Sequence, residues 1–173
     1  MTMTLPASPP APANAASLDQ ILRVIVALVG VIEGMGGLID LPTLFGDLSN
    51  IGLITLASIA LHPLLGFAAL IFALTRRLRT AIVALALLVL AKWASDMTSA
   101  VDHGLELSAG DDAFVIALMV SKIFVQPALS LAAVAAAWFN RYLTAATIAV
   151  MLPTIVDAAA IAAFAIAVSL HGF

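Results

Sequence analysis

The sequence predicts an all-α membrane protein folded as a compact bundle of five transmembrane helices. Three observations support this fold class: the 173-residue chain is 64% hydrophobic and 10% charged, its mean hydropathy is +1.18, and its apolar residues form five long runs. A soluble domain is typically about 45–50% apolar and about 25% charged. The composition is therefore too apolar for a water-soluble domain and favours a chain that is embedded in a lipid bilayer.

Each of the five apolar runs is long enough for a membrane-spanning helix, which needs about 20 residues. The connections between the runs are short, so consecutive helices are predicted to be antiparallel. Residues 18–173 form the predicted transmembrane domain, with spans at approximately 20–41, 51–75, 80–101, 113–139 and 143–170.

Residues 1–17 have a different composition, rich in proline and alanine and without charge. A secretory signal would begin with lysine or arginine ahead of its apolar run, and no basic residue is present here. This composition predicts a disordered N-terminal tail. The chain has no cysteine, and its histidines (62, 103 and 171) are scattered, so we expect no cofactor and no metal.

From Arg23 onward, the charged residues at the ends of the apolar runs and between them segregate by sign, which predicts the orientation of the chain. With five spans, all of the basic ones fall at one membrane face and all of the acidic ones at the other. The positive-inside rule then predicts a cytoplasmic N-terminus and an extracytoplasmic C-terminus. Alanine richness and the use of arginine in the loops favour a bacterial inner membrane. The basic residues are Arg23, Arg76, Arg77, Arg79 and Arg141, and the acidic ones are Asp40, Asp47, Asp102, Glu106, Asp111 and Asp112.

Strongly polar residues occur inside all five predicted spans, at similar depths. At about 1.5 Å per residue they lie roughly 18 to 26 Å from the arginine-bearing end of each helix. A charge in the hydrocarbon costs about 2.5–3.5 kcal/mol and is tolerated when it faces the bundle interior and pairs. The sequence therefore predicts a buried charged layer that serves either transport or structure. Its members are Glu33, His62, Lys92, Asp96, Lys122, Gln126 and Asp157.

Lys92 and Asp96 are four residues apart on one predicted helix, so they share a face and are expected to be nearest partners. By depth, Lys122 is placed to reach Asp96, and Lys92 is also placed to reach Glu33 or Asp157. All of these contacts remain open from the sequence alone.

The charged layer has three acids and two lysines, which leaves one negative charge if every group is ionised. A buried, unpaired carboxylate normally takes up a proton. We therefore expect that one acid is protonated, that His62 is charged, or that a cation is bound. Glu33 and Asp157 are the candidates for the protonated acid.

Three prolines, Pro63, Pro127 and Pro153, lie inside predicted spans and are interpreted as helix breaks near the polar layer. A proline lacks an N–H and leaves the carbonyl four residues earlier without its helical donor. In lipid that carbonyl needs another partner, whereas the simpler alternative is a kink without functional meaning. The carbonyls concerned are those of Ile59, Ile123 and Ala149.

Gly30, Gly34 and Gly37 follow one another at intervals that put small residues on one face of the first span. Such spacing allows close packing of helices, either within the protein or between subunits.

A second pattern is a similarity between residues 62–81 and 126–145, at an offset of 64 residues. This similarity is typical of a duplicated helical hairpin, although two segments rich in alanine and leucine also align by composition alone.

Three functional hypotheses follow from these observations. The first is a small proton- or cation-linked transport protein, with Glu33 or Asp157 titrating, Lys92 and Lys122 compensating charge, and His62 as a relay. The second is an accessory or assembly subunit of a larger membrane complex, in which the charged layer is purely structural. The third, a membrane enzyme acting on lipid or quinone, lacks any visible catalytic constellation. The expected partners are the lipid bilayer and either further copies of the chain or a larger membrane complex, with no nucleic acid.

Overall fold

The computed structural model describes residues 13–45, 52–103 and 113–171. Within these residues the prediction of an all-helical chain is confirmed. The fourth segment is continuous and consists of two α-helices joined by one π-helical turn. The elements are α1 (Ala13–Asp40), a 3-10 helix (Leu41–Phe45), α2 (Leu53–Leu74), α3 (Leu78–His103), α4 (Ala113–Val120), the π turn (Ser121–Val125), α5 (Gln126–Trp138) and α6 (Leu143–His171).

Most helix bounds agree with the predicted spans to within about two residues, which is the usual uncertainty of helix ends. The exception is α1, which begins at Ala13 instead of near residue 20. Residues 13–17, assigned to the tail from the sequence, are thus helical. The physical reason is that alanine, which dominates this stretch, is the strongest helix former. Residues 1–12 of the predicted tail lie outside the described residues.

Four helical segments of the described chain are long and apolar enough to cross a membrane. They are Ser17–Phe45, Leu53–Leu74, Leu78–Thr98 and Ser121–Trp138. The fifth helix, α6, is continuous over 29 residues, but the apolar stretch among its described side chains is Leu143–Ala159. The fold thus has five long helical segments, of which four meet the criterion for a membrane span.

The α2–α3 and α5–α6 turns share one hydrogen-bond pattern. In each, the residue after the C-cap is in the left-handed region, with φ 61° at Arg76 and 53° at Asn140. The pattern is that of a Schellman motif, which satisfies the last carbonyls of a helix. In the first turn, the Arg77 N–H donates to the Phe72 carbonyl (2.8 Å) and the Arg76 N–H donates to the Ala73 carbonyl (3.2 Å). In the second turn, the Arg141 N–H donates to the Ala136 carbonyl (2.9 Å) and the Asn140 N–H donates to the Ala137 carbonyl (3.3 Å).

The buried positions of α2 and α5 also repeat at the offset of 64 residues. Both helices bury a proline, then a small residue, then two alanines at the same spacing. This match extends the sequence similarity of the two hairpins to their packing register. The equivalent pairs are Pro63 and Pro127, Gly66 and Ser130, Ala69 and Ala133, and Ala73 and Ala137.

Helices α1 and α2 pack with their backbones in contact. A Cβ added to Gly66 would lie 2.4 Å from the Gly34 nitrogen, and one added to Gly37 would lie 2.5 Å from the Pro63 nitrogen. A Cβ at Gly30 would lie 2.8 Å from the Leu70 nitrogen. The three glycines singled out in the sequence therefore face α2 within the same chain.

The apolar core fills one half of the bundle. We call this half the arginine end, because the α2–α3 and α5–α6 turns close it with Arg76, Arg77 and Arg141. The opposite half, where α1 ends at Asp40, is the aspartate end. Buried side chains of the core come from α1, α2, α3, α5 and α6, and include Leu22, Val26, Ala69, Ala73, Ile82, Leu85, Ala133, Ala137, Ala146 and Val150.

Candidate functional site

The buried carboxylate of Glu33 is at the centre of a polar cluster beyond the apolar core. Its residue is 6% exposed and three other helices contact it. His62 Nε2 from α2 lies 2.8 Å from Glu33 Oε2, and Lys92 Nζ from α3 lies 3.6 Å from the same oxygen. Thr154 of α6 donates its hydroxyl to Glu33 Oε1 at 2.5 Å. Glu33 therefore joins α1 to α2, α3 and α6 through polar contacts.

A second carboxylate, Asp157, extends the cluster towards the fourth segment. Lys92 Nζ lies 3.8 Å from Asp157 Oδ2, and Lys122 Nζ lies 3.6 Å from Asp157 Oδ1. These distances are those of ion pairs and exceed the range of direct hydrogen bonds. Lys92 thus lies between two carboxylates, and the network reaches all five helical segments.

His62 also connects the cluster to the surface at the aspartate end. Its second ring nitrogen, Nδ1, lies 3.6 Å from Asp40 Oδ2. The His62 side chain is 12% exposed, whereas that of Asp40 is 56% exposed. One imidazole therefore bridges an exposed carboxylate and a buried one.

Asp96 does not have the contact that its spacing predicted. Among the described residues, Lys92 forms its ion pairs with Glu33 and Asp157, and Asp96 has no ion pair within 4.0 Å. The physical reason is that Asp96 is exposed and solvated, whereas the buried Glu33 has a greater need for a counter-charge. Lys122 likewise pairs with Asp157, although depth alone also allowed a pair with Asp96.

Asp96 and Gln126, which were also predicted for the charged layer, border cavities. An inner cavity of about 30 Å³ is lined by Glu33, Val89, Lys92, Trp93, Asp96, Lys122, Gln126, Pro153 and Asp157. An outer cavity of about 230 Å³ is lined by Asp40, Ser58, Ile59, His62, Lys92, Ser95 and Asp96. Lys92 and Asp96 line both cavities and form the wall between them.

The fourth segment changes its helical form next to the cluster. Residues Ser121–Val125 form the π turn, in which the Gln126 N–H donates to the Ser121 carbonyl five residues earlier. The Ile123 carbonyl, which Pro127 deprives of its helical donor, accepts a hydrogen bond from Trp93 Nε1 at 3.0 Å. A neighbouring helix thus supplies the partner that this carbonyl was expected to need. Single π turns inside α-helices are frequent at functional sites.

Pro63 and Pro153 have different environments. Pro63 is buried against Gly37 in the α1–α2 contact, and the Ile59 backbone region one turn earlier borders the outer cavity. Pro153 is buried and lines the inner cavity. The three prolines therefore lie around the cluster on three different helices.

Three residues of the cluster, Asp40, Trp93 and Thr154, were not singled out from the sequence as site residues. The sequence predicts Asp40 at the acidic membrane face, near the end of the first span, and its contact with His62 depends on how α1 ends. Trp93 lies near the middle of its span, which is unusual for a residue that prefers membrane interfaces. Thr154 lies one turn before Asp157 in an otherwise apolar helix. For Trp93 and Thr154, the position within an apolar helix was therefore a sign in the sequence that the residue belongs to the cluster.

No group of three or more His, Asp or Glu residues that could hold a metal ion occurs within the described chain. The acidic loop residues Asp47, Glu106, Asp111 and Asp112 lie outside the described residues, and so do the side chains of Asp102 and His103. In comparisons with known proteins, no family model, no curated protein and no solved structure matches this chain. The functional argument therefore depends on the geometry of the cluster.

Proposed function

We propose that the chain is a multi-pass protein of the bacterial inner membrane that carries out proton- or cation-linked transport. In this proposal it crosses the membrane five times, with the N-terminus in the cytoplasm and the C-terminus outside. Four helices of sufficient length and apolarity support the membrane location. The fifth crossing is assigned to α6, which has 29 residues.

The observation that carries the proposal is the chain of contacts through the cluster. It runs from Asp40 through His62, Glu33 and Lys92 to Asp157, with successive distances of 3.6, 2.8, 3.6 and 3.8 Å. A network that only held helices together would not need an exposed end. Ionisable residues inside membrane helices are by default interpreted as parts of ion or proton pathways.

In the proposed mechanism, Glu33 or Asp157 is the group that gains and loses a proton. Lys92, which contacts both, compensates the negative charge that remains, and Lys122 does the same for Asp157. His62 transfers protons between Asp40 and Glu33. Movement of Lys92 between its two carboxylates would then couple protonation to a rearrangement of α1, α3 and α6.

The test is flux of protons, sodium and potassium into liposomes that contain the purified chain, measured over a range of pH. We expect flux in the native protein and its loss in Glu33→Gln and Asp157→Asn, with folded protein retained in the membrane. Asp19→Asn is the matched control, because Asp19 is an acid on α1 that pairs with Arg23, outside the cluster. Absence of flux for every ion in the native protein would overturn the transport proposal.

The alternative is an accessory subunit in which the cluster is structural. It predicts lower stability and yield for the same variants, without a specific transport defect, and co-purification with a stable membrane partner.

The orientation of the chain is tested separately by labelling of single cysteines, which is possible because the native chain has no cysteine. Thr43 and Thr75 are both exposed. A single cysteine at position 43 is expected to react with an impermeant maleimide added outside cells, whereas one at position 75 is expected not to react.

A further inference from the structure

The two cavities differ in size, and the inner one decides which ligands the cluster accepts. A volume of about 30 Å³ holds about one water molecule and excludes an organic substrate. Three carboxylates, those of Glu33, Asp96 and Asp157, and two ammonium groups, those of Lys92 and Lys122, border it. A proton binds to one of these carboxylates and needs no volume of its own, so it is the ligand of the proposed function that this cavity accommodates without loss of its water.

We infer that Asp40 and His62 form a proton port that connects Glu33 to the aspartate end of the molecule and not to the arginine end. This inference rests on the proposed function and narrows its ligand to the proton. In the proposed step, His62 Nδ1 gains a proton on the side of Asp40 while Nε2 passes its proton to Glu33 Oε2. The imidazole is then in the Nδ1–H tautomer and has the same charge as before. It returns to its first tautomer when Nδ1 releases its proton to water in the outer cavity and Nε2 takes one up from that water.

The distances support transfer along this route. His62 Nε2 and Glu33 Oε2 are 2.8 Å apart, which is a hydrogen-bond distance. His62 Nδ1 and Asp40 Oδ2 are 3.6 Å apart, a gap that one bridging water in the outer cavity would close. A carboxylate that is 56% exposed at the outer end raises the local concentration of protons.

Access from the other end is blocked by the apolar core. Between the cluster and the arginine end lie Val26, Ile82, Leu85 and Val150, each at most 1% exposed. The buried core here contains no titratable side chain among the described residues. A proton therefore reaches Glu33 from the aspartate end only, as long as the helices keep this arrangement.

The charges that face His62 set how the port responds to pH. From α1 these are Glu33 and Asp40, and from α3 they are Lys92 and Asp96, which share the outer cavity with His62. Two carboxylates lie within 3.6 Å of the ring, and Lys92 Nζ lies 3.6 Å from the same Glu33 oxygen that His62 contacts. Further away, Asp157 and Lys122 offset one another.

Trp93 provides a reporter for the test, because it lines the inner cavity and Trp138 is the other tryptophan. In the Trp138→Phe background, Trp93 fluorescence is followed in oriented proteoliposomes after a pH jump on one side. We expect a response to pH at the aspartate end and none to pH at the arginine end. His62→Gln is expected to slow the response about a hundredfold, and Asp40→Asn about tenfold.

Asp19→Asn is the control and is expected to leave the response unchanged. Asp40→Asn keeps the test decisive if His62→Gln fails to fold, because Asp40 is exposed. Equal responses from both sides, no response from either side, or a response that Asp40→Asn does not slow would each overturn the port. A one-sided response without ion flux would keep the port and overturn transport, so the two failures are distinguishable.

Discussion

Trp93 donates its indole N–H to the Ile123 carbonyl, across the contact between α3 and the π turn, at 3.0 Å. The contact supplies a donor to the carbonyl that Pro127 leaves without one. Replacing Trp93 by Phe keeps an aromatic ring but leaves this carbonyl without its partner. An unpaired polar group in a buried site costs about 1–3 kcal/mol.

We therefore expect Trp93→Phe to lower the free energy of unfolding by about 1–3 kcal/mol. The measurement is thermal unfolding in detergent, followed by loss of the folded peak in size-exclusion chromatography. Trp138→Phe is the matched control, because Trp138 is 80% exposed and the same atoms are removed. Equal destabilisation by both changes would contradict the role of this hydrogen bond.

The α1–α2 contact predicts that Gly66 tolerates no side chain. A Cβ there would lie 2.4 Å from the backbone nitrogen of Gly34, so the backbones of α1 and α2 would have to separate. Overpacking of this kind costs about 1–3 kcal/mol. Gly66→Ala is expected to lower the melting temperature clearly. Gly36→Ala is its control, because the nearest atom to a Cβ there is His62 Cε1 at 4.0 Å, and it should leave stability nearly unchanged.

Two buried threonines of α6 allow a test of the Glu33 contact. Thr154 donates to Glu33, whereas Thr147 donates to the Leu143 carbonyl of its own helix. A hydrogen bond to a charged group contributes about 1.5–3 kcal/mol. Thr154→Val should therefore destabilise the protein by roughly this amount and change proton flux, while Thr147→Val should cost less and leave flux unchanged. Similar effects of the two substitutions would show that the hydroxyl on Glu33 has no special role.

Lys92 is the cation shared by Glu33 and Asp157, so its removal should affect the cluster more than removal of Lys122. Breaking a fully buried ion pair costs about 3–5 kcal/mol. The side chains of Lys92 and Asp157 are 37% and 31% exposed, so we expect about 2–3 kcal/mol for Lys92→Met. Lys122→Met should cost less, because Lys122 has one ion-pair partner among the described residues and is 42% exposed.

The double variant Lys92→Met with Glu33→Gln provides a further check. Glutamine removes the buried carboxylate that Lys92→Met leaves without an ammonium group among the described residues, whereas Asp157 keeps its ion pair with Lys122. Stability is therefore expected to recover in part, to a value above that of Lys92→Met alone. A strictly additive loss in a double-mutant cycle would contradict direct coupling between these two residues.

The sequence carries most of the information about helix bounds and depth. Apolar runs and charged turns predict where α2, α3 and α6 begin and end, because the lengths of such helices are set by their apolar content. Depth also brings Lys92 level with Glu33 and Asp157, the two carboxylates that it contacts. These inferences need only a rise per residue and a charge pattern.

The depth of a residue in the membrane does not determine how its helix is rotated about the helix axis. The contact of His62 with both Asp40 and Glu33 depends on this rotation, and so does the absence of a Lys92–Asp96 pair in the described chain. An i, i+4 spacing permits a contact but does not require it when another helix presents a buried carboxylate. The π turn was also not predicted, because a sequence does not show that the Trp93 side chain of another helix donates to a carbonyl of that turn.

The apolar core at the arginine end has a consequence for an energised membrane. In a chain that spans the bilayer as proposed, the transmembrane voltage falls mainly across this apolar layer. The outer cavity would have nearly the electrical potential of the aspartate end, so little of the voltage falls between that end and Glu33. A charge that crosses the whole field gains or loses about 2.3 kcal/mol per 100 mV. Proton binding at Glu33 from the aspartate end would then depend weakly on voltage. The later passage through the core would carry almost all of the electrical work.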